Sequence, residues 1–60
     1  MTAKELIKRL AAEGWTQVSQ KGSHAKYVKP GREGHVIVPL HKGDIPTGTL
    51  HSILKQAGLK

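Results

Sequence analysis

Ser23-His24-Ala25-Lys26-Tyr27-Val28-Lys29-Pro30-Gly31-Arg32-Glu33-Gly34-His35-Val36-Ile37-Val38-Pro39-Leu40 reads as two strands joined by a loop of chain breakers. Pro30 to Gly34 cannot continue either a helix or a ladder. His35 to Leu40 is rich in β-branched residues, and Ser23 to Lys29 alternates. Side chains in a strand point to opposite faces in turn, so Ala25 and Tyr27 share one face while His24, Lys26 and Val28 share the other. The second set is less apolar and is assigned to the uncovered face, with His35 of the third strand beside it.

Outward from this pair, the period of two extends back to Trp15. A first strand places Val18 between Thr16 and Gln20 and ends near Lys21-Gly22. Before it, Ala3, Leu6, Ile7, Leu10 and Ala11 fall at helical spacing, with Lys4, Lys8, Arg9 and Glu13 on the outer side. Thr2 and Glu5 form a capping-box pattern, Gly14 stops the helix, and Trp15 folds back on its last turn. After the strands, Leu50, Ile53, Leu54 and Ala57 give a second helical face ending at Gly58. Asp44 and Thr47 are its candidate caps, and Pro46 suits its first turn. The order is α-β-β-β-α: an α+β domain over residues 1–60, with a three-stranded antiparallel sheet and two helices covering one face.

Sixty residues without cysteine bound the physics further. Such a chain buries only about 60% of the surface its unfolded form exposes, so its core is marginal and a bound partner would add stability. The lack of cysteine fits a reducing compartment. Met1-Thr2-Ala3-Lys4-Glu5 has no secretory character, and Val36-Ile37-Val38-Pro39-Leu40 is too short to span a bilayer; a cytoplasmic protein without a membrane partner is expected. Ten Lys and Arg against four Asp and Glu give a net charge of +6. Lys21, Lys26, Lys29, Arg32 and Lys42 face one acid, Glu33, in the middle of the chain. That field points to a polyanion, and to nucleic acid first.

Gly22-Ser23-His24 followed three residues later by Tyr27 resembles the G-S-H-x-x-aromatic signature of HicA-type mRNA interferase toxins. Val38-Pro39-Leu40-His41 and the segment from Gly48 to Gly58 are similar to that family as well. No one of these motifs is specific alone; three in this order over nearly the whole chain are. The resemblance implies a fold like that of double-stranded RNA-binding domains, cleavage of mRNA, inhibition of translation, and neutralisation by a HicB-type antitoxin. It also implies that His24 is the functional histidine.

The residues support that chemistry. RNA cleavage without a metal or cofactor needs a group to take the 2′-hydroxyl proton and one to protonate the leaving 5′-oxygen. Histidine suits either task, because its ordinary pKa of about 6.5 lies near working pH. Gly22 clears side-chain bulk from the approach to His24, Ser23 offers a hydroxyl, and Lys21 and Lys26 flank it to hold the phosphate and its transition-state charge. Lys29, Arg32, His35 and Lys42 complete the expected RNA-binding set. His35 is a candidate second proton-transfer group or phosphate donor. His41 is expected to fix the loop before the second helix, and His51 to lie at the rim of that helix.

Four histidines without cysteine match no zinc-ligand spacing. The glycines make no phosphate-cradling loop with a following lysine, and Ser23 beside His24 offers no nucleophilic triad. Trp15 and Tyr27 are assigned to the core rather than to base stacking. Two other readings stand beside the enzyme: a non-catalytic double-stranded RNA-binding module, indifferent to His24, and a basic subunit whose ligand is an acidic protein.

Overall fold

Thr2 opens the first helix with both halves of a capping box: its hydroxyl accepts from the Glu5 N–H at 3.2 Å, and the Glu5 carboxylate accepts from the Thr2 N–H at 3.0 Å. The Thr2 N–H and hydroxyl both donate to the Glu5 carboxylate, favour its charged form and hold Glu5 below its ordinary pKa. The computed structural model describes residues 1–40 and 42–59. It runs α1 (Ala3–Ala12), β1 (Thr16–Lys21), β2 (His24–Val28), β3 (Val36–Pro39) and α2 (Thr47–Gln56). The sheet is antiparallel in the order β1-β2-β3. Each strand is a residue or so shorter at its ends than the alternation predicts. No helix among the described residues is long and apolar enough to cross a membrane.

Both helices end alike. At α1, Gly14 takes φ +96, its N–H reaches the Ala11 carbonyl at 3.1 Å, and the Trp15 N–H reaches Leu10 at 3.0 Å. This double bond pattern reverses the chain and buries Trp15 as expected. At α2, Gly58 takes φ +73, with Gly58 N–H on Lys55 at 3.2 Å and Leu59 N–H on Leu54 at 2.8 Å.

A single apolar cluster joins Leu6 and Leu10 of α1, Ala25 and Tyr27 of β2, Val36 and Val38 of β3, and Ile53 of α2, with Trp15, Ile45 and Ala57 just after α2. Both helices therefore cover the Ala25–Tyr27 face, and the His24–Lys26 face is open. Burial raises the Tyr27 phenol above its ordinary pKa, and its hydroxyl donates to the Gln17 side chain at 3.0 Å.

Three local expectations are corrected. Val18 does not alternate into the sheet: Gln17 pairs with Tyr27 and Ser19 with Lys26, leaving Val18 as the extra residue of a bulge, 53% exposed. Asp44 and Thr47 do not cap α2. Pro46 occupies the cap position with no side-chain bond, while Asp44 bridges Thr2 and lies 3.5 Å from the N-terminal amine. The chain at this point is claimed by the N-terminus, since Ile45 is buried and its N–H bonds the Met1 carbonyl at 2.8 Å. The expectation for His41 lies outside the described residues.

Arg32 has a structural task. Its Nη2 donates to the Gln56 carbonyl at 2.7 Å, and its guanidinium sits 5.9 Å from the centre of the Trp15 ring. It thereby clips the long β2–β3 loop to the end of α2. A Cβ at Gly58 would fall 2.8 Å from Arg32 Nη1, whereas one at Gly34, φ +81, would meet open space. Gly58→Ala is therefore expected to lower stability by about 1–2 kcal/mol, from backbone strain plus a displaced guanidinium. Gly34→Ala carries the strain alone. Thermal melts of the two variants check this: equal losses would show that the Arg32 clip contributes nothing.

Candidate nucleic-acid interface and catalytic centre

The placement of His24 follows from a two-residue hairpin. Lys21 pairs with His24 across β1 and β2, leaving Gly22 and Ser23 as the whole turn. Glycine at φ +59 in the first turn position suits the primed hairpin turn that matches strand twist. The turn is anchored on two sides: the Ser23 carbonyl accepts the Leu40 N–H at 2.6 Å, and the Gln20 side chain donates to the Gly22 carbonyl at 3.3 Å. His24 thus begins β2 on a held backbone with its side chain exposed.

Around it the open face is cationic. Lys21 lies directly opposite on β1, with Cβ atoms about 5 Å apart in such pairs. Lys26 follows two residues along β2, roughly 7 Å away on the same face, half-buried between its partners Ser19 and Ile37. On the other side His24 pairs with Pro39 of β3. There the start of α2 comes up to the sheet and borders an open cavity of about 350 Å³ lined by His24, Ile37, Pro39, Pro46 and Thr49. The uncapped first turn of α2 borders this cavity, so the positive end of a helix dipole lies beside the imidazole.

The expected site residues divide. Lys21, Gly22, Ser23, His24 and Lys26 come together at the hairpin. Lys29 is half-buried just beyond β2, and Lys42 is exposed. Arg32 spends its guanidinium on Gln56 and Trp15, away from His24. His35 is exposed one residue before β3, four strand positions from Pro39 and so about 13 Å along the sheet from His24. That separation denies it direct contact with the same reacting atoms. His51 is exposed, two residues from Thr49 and so about 200° around the α2 axis from the cavity. Among the described residues no three His, Asp or Glu side chains gather to hold a metal ion.

Sequence reasoning did not find Ile37, Pro39, Pro46 and Thr49 as site residues. They lie 12 or more residues from His24: the pairing of β3 with β2 brings Ile37 and Pro39 to it, and the packing of α2 beside β3 brings Pro46 and Thr49. Their one signal was Val28 and Ile37, apolar residues that the alternation puts on the open face.

Residues 3–59 match the protein family described as HicA toxin of bacterial toxin–antitoxin systems. Among solved structures, one described as a toxin–antitoxin complex from Streptococcus pneumoniae is similar, with a TM-score of 0.85 and 42% sequence identity over 98% of each chain. No curated protein sequence matches significantly.

Proposed function

The chain belongs to the HicA toxin family, and from that premise we propose that it is an mRNA-cleaving endoribonuclease toxin, acting without a metal through His24. One observation carries the reading: His24 stands exposed on an uncovered sheet face, on an anchored turn, with Lys21 opposite and Lys26 beside it.

In the proposed reaction the lysines hold the scissile phosphate against His24. The imidazole takes the proton of the adjacent ribose 2′-hydroxyl, whose oxygen attacks phosphorus. The bond to the 5′-oxygen breaks, and that oxygen leaves with a proton from solvent, to which this face is open. The products are a 2′,3′-cyclic phosphate and a 5′-hydroxyl. Lys21, Lys26 and the start of α2 offset the added negative charge at phosphorus, the contribution that matters most in such a transfer. Replacing one ribose by deoxyribose at the cleavage point is expected to abolish cutting there, and an excess of chelator to leave it unchanged. A binding module on the same fold would bind both oligonucleotides equally and cut neither.

Binding is expected to depend steeply on salt. Lys21, Lys26, Lys29 and Lys42 form no ion pair among the described residues, while Arg32 is engaged within the fold. Four phosphate contacts to single-stranded RNA give a slope of log affinity against log salt of about −3, and each Lys→Ala change lowers it by about 0.7. A flat dependence, measured by fluorescence anisotropy from about 50 to 200 mM salt, would remove this footprint.

The similar solved structure is a toxin–antitoxin complex, which supports an antitoxin partner for this chain, proposed to be of the HicB type. An exposed cationic face is silenced most directly by a protein that brings carboxylates and excludes RNA.

A further inference from the structure

One side of the cavity beside His24 is apolar. Ile37 and Pro39 supply one wall and Pro46 another, none with a hydrogen-bonding side chain. Ile37 is 37% exposed, an aliphatic group left half-bare on an otherwise cationic face. A phosphodiester gains nothing from these three side chains and finds its partners in His24, the lysines and the start of α2 beside them. RNA has one apolar, flat component, the face of its bases. We propose that this cavity receives the unpaired base of a nucleotide bordering the scissile phosphate, packed on Pro39, Pro46 and Ile37 and met at its edge by the Thr49 hydroxyl. The proposal rests on the nuclease reading and adds its recognition element.

Size and chemistry support this occupant. A volume of about 350 Å³ is near the lower end for ligand sites and suits one base with part of its sugar. A base offers its face to Pro39, Pro46 and Ile37 only when it is unstacked, which favours single-stranded RNA at the point of cutting. The proline rings are rigid, so the walls lose little freedom on binding. The Thr49 hydroxyl both donates and accepts, and it can meet the edge of any base. The consequence is specific: cleavage depends on the presence of a base far more than on its identity.

The test uses DNA oligonucleotides carrying a single ribonucleotide, intact or with the base removed from that nucleotide or from its 3′ neighbour. Wild type and Thr49→Trp are compared by kcat/KM. Thr49 is exposed on α2, so the larger ring fills the cavity without entering the core, and a thermal melt verifies folding.

Loss of the base at one of the two positions is expected to cost about tenfold to a hundredfold, the range that packing against one base supplies. Exchange among the four bases there is expected to change the rate by less than about tenfold, because one hydroxyl is the only reader. Thr49→Trp is expected to impose a similar loss on the intact substrate and almost none on the base-free one, since both changes remove the same interaction. Two results overturn the inference alone: His24-dependent cleavage indifferent to base removal at both positions, or losses that multiply when cavity filling and base removal are combined. Absence of His24-dependent cleavage of the intact oligonucleotide overturns the nuclease reading, and this inference with it.

Discussion

A His24→Ala protein is expected to fold as the parent does and to cleave RNA about 10²–10⁴-fold more slowly, the contribution of one positioned proton-transfer group. The two halves of this expectation have separate physical grounds. The imidazole is exposed and outside the apolar cluster, so removing it leaves no cavity. Its β-ladder partners Lys21 and Pro39 are paired through the backbone, which alanine preserves. Stability should then change by less than about 0.5 kcal/mol. What disappears is the one imidazole that the described structure places at the hairpin among the lysines. His35→Ala is the matched control: it removes an exposed histidine of the same chain about 13 Å along the sheet and is expected to cut at nearly the parental rate. Initial rates on a labelled RNA, with thermal melts of all three proteins, make the comparison. Growth arrest on expression should follow the cleavage rates and not the melting temperatures. A folded His24→Ala protein that retains near-parental activity sinks the assignment.

This contrast depends on features that could be read before any coordinates. Alternation in Ala25, Lys26, Tyr27 and Val28 distinguishes the buried face from the open one, because burial rewards only one parity of a strand. Thr2 and Glu5 announce the start of α1 through chemistry local to four residues, and Gly14 announces its end. What escaped was set by long-range packing. Val18 looks like an ordinary alternating residue, and nothing near it in the chain shows that β1 inserts one residue relative to β2. Arg32 looks like one more cation of an RNA footprint; only the arrival of Gln56 and Trp15 from distant segments turns it into a clip. Pro46 has no chemical mark of a site, and Thr49 has only its place at the beginning of a helix. They become one because α2 begins beside β3.

Leu10→Ala makes the opposite prediction: a protein with its site intact and at least a quarter of its stability gone. Leu10 is 0% exposed and packs between α1 and the sheet. Truncating such a leucine typically costs about 2–5 kcal/mol, from lost transfer energy and the cavity left behind. A domain of this length commands roughly 3–9 kcal/mol in total, and there is no disulfide to limit the unfolded state. The substitution therefore takes between a quarter of the reserve and all of it. At about 4–8 °C per kcal/mol for a chain of this size, the melting temperature should fall by about 10 °C or more. Val18→Ala, at a bulge residue 53% exposed, should barely move it.

The functional consequence separates the two kinds of damage. His24, Lys21 and the Gly22–Ser23 turn lie on the face away from Leu10. While Leu10→Ala remains folded, in the cold or with a saturating partner, its rate per folded molecule should match the parent. A ligand at a hundred times its Kd restores about 2.7 kcal/mol, enough to return much of the population to the native state. Urea or thermal unfolding with and without an RNA analogue measures both effects. If Leu10→Ala instead melts normally, or is slow even when fully folded, then α1 does not support the sheet in the way its packing indicates, and the open face owes its shape to something else.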